Sequence, residues 1–184
     1  MTGGGEMRTL GTRIRYRSAW MTVREDAVAR ADGSVGSYGV VDKPDFAVVV
    51  PVERGGYWLV EQYRYPVRRR AWEFPQGSWG AAGSGSPEEL AMAELAEETG
   101  LRATELRHLG HLFPAYGFCS QGFDAYVATG LVPGEPAREA SEQDMRHRWA
   151  SDAELRETIA RGDVVDAVSL AAYALLGLDH PPRS

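Results

Sequence analysis

Residues 86–101 read Ser86-Pro87-Glu88-Glu89-Leu90-Ala91-Met92-Ala93-Glu94-Leu95-Ala96-Glu97-Glu98-Thr99-Gly100-Leu101, and they predict one short helix that presents three carboxylates together. Ser86 can cap the first turn and Pro87 suits the first helical position. Glu89, three residues after the cap, can complete a capping box and meet the positive end of the helix dipole. Gly100 supplies the stop. Inside the helix Glu94, Glu97 and Glu98 stand at i, i+3 and i+4, so they share a face beside the apolar stripe of Ala91, Met92 and Leu95. Like charges at these spacings cost about 0.2–0.5 kcal/mol per pair, and carboxylates in the last turn oppose the negative end of the dipole. A bound divalent cation reverses both penalties; a solvated acidic face is the plainer reading of the same spacing.

The surrounding residues decide between the two. Glu94-Leu95-Ala96-Glu97-Glu98-Thr99-Gly100-Leu101 resembles the second half of the Nudix hydrolase signature, G-x5-E-x7-R-E-U-x-E-E-x-G-U, where U is a bulky apolar residue. Upstream, Trp72-Glu73-Phe74-Pro75-Gln76-Gly77 is similar to the segment that leads into the signature in the ADP-ribose pyrophosphatase branch. The chain departs from the pattern twice. The loop Ser78 to Gly85 is two residues longer and lacks the usual loop glutamate, and Ala93 stands where the family carries an arginine that buttresses the glutamates. That second change bears on carboxylate orientation and removes no metal ligand.

The chain has 184 residues, enough for one well-packed domain. Its 43% hydrophobic and 25% charged content is ordinary for a globular protein, and a net charge of −6 argues against a general nucleic-acid binder. No apolar run approaches the ~20 residues needed to span a bilayer, and Met1 to Met7 has no signal-peptide core, so a cytoplasmic protein without a membrane partner is expected. The lone Cys119 has no partner for an internal disulfide and no companions for a zinc site; a small buried or half-buried side chain is its expected role.

Three short strands, 12–17, 21–29 and 36–42, open the chain, with hairpin chemistry at Ala31-Asp32-Gly33-Ser34. Arg13, Arg15 and Arg17 alternate on one face of the first, either solvated or facing a dimer partner. Phe46 to Val52 and Tyr57 to Tyr65 form a hairpin, closed by Trp72 and Glu73. A carboxylate on that apolar strand needs a ribose hydroxyl or a neighbouring arginine, whereas Trp72 could stack on a base or simply enter the core. Arg64 suits a diphosphate through its bidentate fork; Arg68-Arg69-Arg70 reads as an edge kept soluble. Strands over 105–112 and 123–131 flank the Pro/Gly loop 113–118, and strand character returns over Met145 to Ala150 after the acidic, turn-rich segment 134–144. Ser151 and Glu154 form a second capping box opening a helix that stops at Gly162, and 163–176 gives a last helix with Val164, Val165, Ala167, Leu170, Ala171 and Leu175 available for packing.

The resemblance implies an α/β fold, a Nudix-type α/β/α sandwich with a mixed central sheet preceded by an N-terminal antiparallel strand region. It divides the chain into a flexible leader (1–11), N-terminal strands that form a homodimer (12–44), a catalytic domain (45–178) and a tail (179–184). It implies metal-dependent hydrolysis of the diphosphate linkage in a nucleoside diphosphate derivative, with ADP-ribose giving AMP and ribose 5-phosphate as the leading case. GDP-mannose or UDP-sugar hydrolysis, or a weakly catalytic nucleotide-sugar sensor, are the alternatives. By the same resemblance Glu94, Glu97 and Glu98, with the carbonyl of Gln76, hold the metal, and Glu142, with Glu98, serves catalysis; Glu139 and Asp144 are rivals for the loop acid. Arg64, Glu73, Trp72, Gly77 and Gly117 would meet the substrate, Gly117 within the loop that lines the nucleotide-sugar pocket. Carboxylates without histidine or cysteine ligands form a hard-oxygen site suited to Mg²⁺, with Mn²⁺ an option.

Overall fold

The computed structural model describes residues 7–79, 83–137 and 144–179; Glu139, Glu142 and the 180–184 tail lie outside the described residues. Three antiparallel strands, β1 (Arg8–Arg17), β2 (Thr22–Ala29) and β3 (Val35–Asp42), form the N-terminal sheet. β1 starts at Arg8 rather than at Thr12, and its whole length is exposed, Ile14 and Tyr16 included. Arg15 pairs with Glu25 across to β2. The sheet is tied to the rest of the chain by main-chain bonds from Val41 N to Phe118 O and from Ser120 N to Val41 O, at 2.8 and 3.0 Å.

The central sheet is built from β4 (Phe46–Glu53), β5 (Gly56–Arg64), β6 (Arg69–Glu73), β7 (Gln76–Gly77), β8 (Arg102–Leu112), β9 (Phe123–Val132) and β10 (Arg146–Ser151). Its order is β10-β5-β4-β9-β8, with β6 added to β5 and β7 to β4. Only the β4–β9 pairing is parallel, so the sheet is mixed, as expected. Trp72 and Glu73 do not close the preceding strand: a one-turn helix at Tyr65–Val67 and the left-handed Arg68 (φ 53°) break it, and β6 folds back antiparallel on β5.

Among the described residues three α-helices complete the fold: α1 (Pro87–Thr99), α2 (Asp152–Ala160) and α3 (Ala167–Asp179). The alternation of β4 distributes them. Ala47 and Val49 pack with Leu90, Ala91 and Leu95 of α1, while Val48 and Val50 point the other way to Leu155 of α2 and to Val168, Ala172 and Leu176 of α3. Each such valine contributes about 1.5–3 kcal/mol by burial, so β4, apolar on both faces, is the centre of the α/β/α sandwich. α3 begins later than Asp163 because Asp166 caps it, accepting from Val168 N and Ser169 N. Its buried row is Val168, Ala172 and Leu176, while Val165 and Leu170 are exposed. A helix this uniformly apolar gives periodicity nothing to choose between faces. Among the described residues no helix is long and apolar enough to cross a membrane.

Candidate active site

The predicted caps of α1 are present: Ser86 Oγ accepts from Glu89 N, Glu89 accepts from Ser86 N, and Gly100 (φ 76°) ends the helix. Only glycine fits that last position, since a β-carbon would also lie 2.4 Å from the carbonyl of Gly134. Held this way, the last two turns of α1 face β7. Glu98 is not on a solvated face, as its spacing suggested; it is 1% exposed and accepts from Gln76 N at 3.3 Å. Glu94 reaches the neighbouring residue, its carboxylate filling the space where a β-carbon of Gly77 would stand, 2.3 Å from Oε1. Two carboxylates therefore converge on the Gln76-Gly77 strand. Glu97 is half-buried on the same turn, and its main-chain carbonyl accepts from Ala137 N at 3.0 Å.

Next to β7, Glu73 is 2% exposed and is met by Gln62 Nε2 at 2.8 Å and by the Arg64 guanidinium. An arginine is thus its partner. Burial pushes the Glu73 carboxyl above the usual range, and Arg64 offsets part of that rise. The Arg64 side chain is 42% exposed and spans from the buried carboxylate to a small cavity of about 200 Å³ lined by Lys43, Phe46, Gln76, Gly77 and Gln121. Trp72 packs partly against the core, with the Arg148 guanidinium 4.7 Å above its ring. Gly117 does not line this cavity; its carbonyl accepts from Tyr38 OH of β3 at 2.7 Å. A larger cavity, about 980 Å³, lies against α2 and α3 and holds none of these residues.

Of the three loop acids Asp144 alone is described, and it is committed. Arg70 donates to its carboxylate at 2.6 Å and to its carbonyl at 2.9 Å, holding its pKa below the usual range. The acidic loop is thereby anchored at one end to β6 and at the other, through Ala137, to the last turn of α1. Sequence reading missed Lys43 on the cavity wall and Asp166 behind it, which accepts from the Gln76 side chain at 2.8 Å. The Asp166-x-x-Ser169 capping spacing was the available signal for the latter.

Among the described residues no three His, Cys, Asp or Glu side chains already stand around a common point. The side chains that do converge at the Gln76-Gly77 strand are two carboxylates, the oxygen donors a hard divalent cation takes.

Comparison with known proteins identifies the family and the fold. Residues 7–41 match the nucleoside diphosphate sugar hydrolase N-terminal domain, and residues 42–171 match the NUDIX domain. An ADP-ribose pyrophosphatase of Mycobacterium tuberculosis (strain ATCC 25618 / H37Rv) is 32% identical over 168 residues, covering 90% of this chain and 81% of that protein. A CMP-5'-(N-acetyl-N-hydroxy-3-aminopropyl)phosphonate hydrolase of Streptomyces rubellomurinus (strain ATCC 31215) is 28% identical, covering 91% and 81%. A solved ADP compounds hydrolase superposes with a TM-score of 0.83 at 21% identity over 96% of this chain and 95% of that one, which shows the shared fold. With a family match over most of its length and a relative above 30% identity, the chain belongs to the Nudix family and is a Nudix hydrolase.

Proposed function

We propose that the protein hydrolyses ADP-ribose to AMP and ribose 5-phosphate with Mg²⁺, Mn²⁺ being able to replace it. Hydrolysis of nucleoside diphosphate derivatives is the class of activity that the family and the relatives support, and Nudix hydrolases in general use divalent metal ions. The observation that carries the finer reading is the meeting of Glu94 and Glu98 at Gln76-Gly77. Glu94, Glu97 and Glu98, with the Gln76 carbonyl, would hold the cation. When bound, it neutralises the diphosphate and eases deprotonation of water.

The chain's own residues do the rest. Arg64, steadied by Glu73, offers its exposed edge to a phosphate. Gly77 lines the cavity and would let the substrate approach the strand, whereas Trp72, packed against the core, and Gly117, bonded to Tyr38, lie off that cavity and would meet the substrate only beyond it. Water attacks one phosphorus, the bridging P–O bond breaks, and the attacking water's proton passes to a loop carboxylate. Glu142 is the assigned acceptor: Ala137, before its loop, is bonded to the main chain of Glu97, and its rival Asp144 is already engaged by Arg70. The N-terminal strands, residues 12–44, are assigned to a homodimer contact, supported by the exposed apolar residues of β1.

The test is release of nucleoside monophosphate from ADP-ribose, GDP-mannose, UDP-glucose and diadenosine substrates, each with Mg²⁺, Mn²⁺ or chelator. AMP from ADP-ribose, abolished by chelator, is expected. Preference for another nucleotide-sugar would replace the substrate, and binding without turnover would turn the reading to a sensor, the role Ala93 leaves open.

A further inference from the structure

We propose that Asp166, at the start of α3, is a positioning residue for the active site, fixing the Glu73-to-Gly77 segment by hydrogen bonds that the helix cap itself does not need. The inference rests on the reading that the Gln76 main chain serves the cation.

Asp166 meets the ordinary demands of a cap through Val168 N at 3.3 Å and Ser169 N at 2.8 Å. It also accepts two further bonds on Oδ2. Gln76 Nε2 donates to it at 2.8 Å, and so does Ser169 Oγ at 2.8 Å. Ser169, 2% exposed, in turn accepts from Phe74 N at 2.9 Å. Two residues earlier, Trp72 N donates to the carbonyl of Asp163 at 2.8 Å. In an extended segment alternate amides point to the same edge. Here the amides of Trp72 and Phe74 are therefore received by the α3 approach, as an adjoining strand would receive them. The Gln76 amide goes to Glu98 of α1, and the Pro75 carbonyl accepts from Val49 N at 2.9 Å. The result is a short segment gripped from the α3 side at the Trp72 and Phe74 amides and the Gln76 side chain, and from the α1 side at the Gln76 amide. A carboxylate is required at the α3 grip, because all four groups around Asp166 are donors and an acceptor-only side chain satisfies them together.

Asp166→Ser separates the two roles. A serine still caps a helix but is too short to reach Gln76. Gln76→Met removes the other half of the bond without touching the cap, and so carries the test if the first variant fails to fold. Mn²⁺ binding, read from the loss of the free-ion electron paramagnetic resonance signal, is measured for the wild type, both single variants and the double variant. Hydrogen exchange of the Phe74 and Gln76 amides is followed in parallel. Each single variant should weaken Mn²⁺ binding about 10-fold, as loss of an outer-shell partner does, and the double variant should be no weaker than either. Both amides should exchange faster, and Asp166→Asn should recover part of each effect. Wild-type affinity in Asp166→Ser, or losses that multiply in the double variant, would overturn the inference. If the wild-type protein itself fails to bind Mn²⁺, the cation assignment falls, and the exchange rates alone decide: unchanged rates in both variants refute the grip.

Discussion

Replacing Gly77 with alanine should displace the Glu94 carboxylate and leave the fold standing. The added β-carbon would lie 2.3 Å from Oε1, 2.5 Å from Cδ and 2.6 Å from Oε2, against an ordinary contact of 3.4 Å or more. The carboxylate must retreat by about 1 Å, a misplacement that can cost on the order of 100-fold in rate when it falls at a reacting centre. The obstructing atoms end a flexible, half-buried side chain, so stability should fall by no more than about 1 kcal/mol, below the range typical of damage to a core. The assay pairs initial rates of AMP release over a Mg²⁺ series with thermal unfolding. A drop in kcat/KM of about 100-fold, with a midpoint lowered by only a few degrees, is expected. Full activity at unchanged Mg²⁺ dependence would refute the placement of Glu94 at the reacting centre, and loss of cooperative unfolding would refute the claim that the side chain yields.

Glu97→Gln and Glu98→Gln should each lose most metal-dependent turnover while circular dichroism and cooperative unfolding persist, because the change removes charge and preserves shape; full turnover in both sinks the metal assignment. Arg64→Ala leaves the Glu73 carboxylate buried without its ion pair, so denaturant unfolding should show a loss of about 1–3 kcal/mol, together with a raised KM. An unchanged KM would remove Arg64 from substrate binding. Glu73→Gln tests the sign of a buried charge. Because the folded pKa of Glu73 is raised, its contribution to stability is fully present below the unfolded value and is lost as pH rises through the folded one. The glutamine variant should therefore match wild type in acid and gain on it as pH rises, each pKa unit being worth about 1.4 kcal/mol. Wild type gaining instead would mean that the Arg64 pair outweighs burial.

The framework of this protein was legible where local chemistry decides it. Ser86, Glu89 and Gly100 fixed both ends of α1 because capping needs nothing beyond a few neighbours. The unbroken apolar run of β4 announced a strand, and the packing of α1 on one face and α2 and α3 on the other explains why it is apolar throughout. Three features were not legible, and each depends on a distant partner. Glu98 sits at the edge of the apolar stripe by periodicity, and only the docking of β7 against that edge buries it. β6 separates from β5 because Arg68 takes a left-handed turn, an unusual choice for an arginine that sequence does not advertise. The phase of α3 is chosen by the sheet it covers, not by its own pattern, and with it Asp166 becomes neighbour to Gln76, 90 positions away in sequence. The site is thus written in two parts: the acids in a local motif, and their alignment in contacts that form only when the sandwich closes.

The most direct measurement is AMP formation from ADP-ribose by wild type and Glu98→Gln side by side, with Mg²⁺ and with chelator. The account predicts product only from the wild type with metal, at matched folded fractions. Equal product from Glu98→Gln, or product that survives chelation, would contradict it.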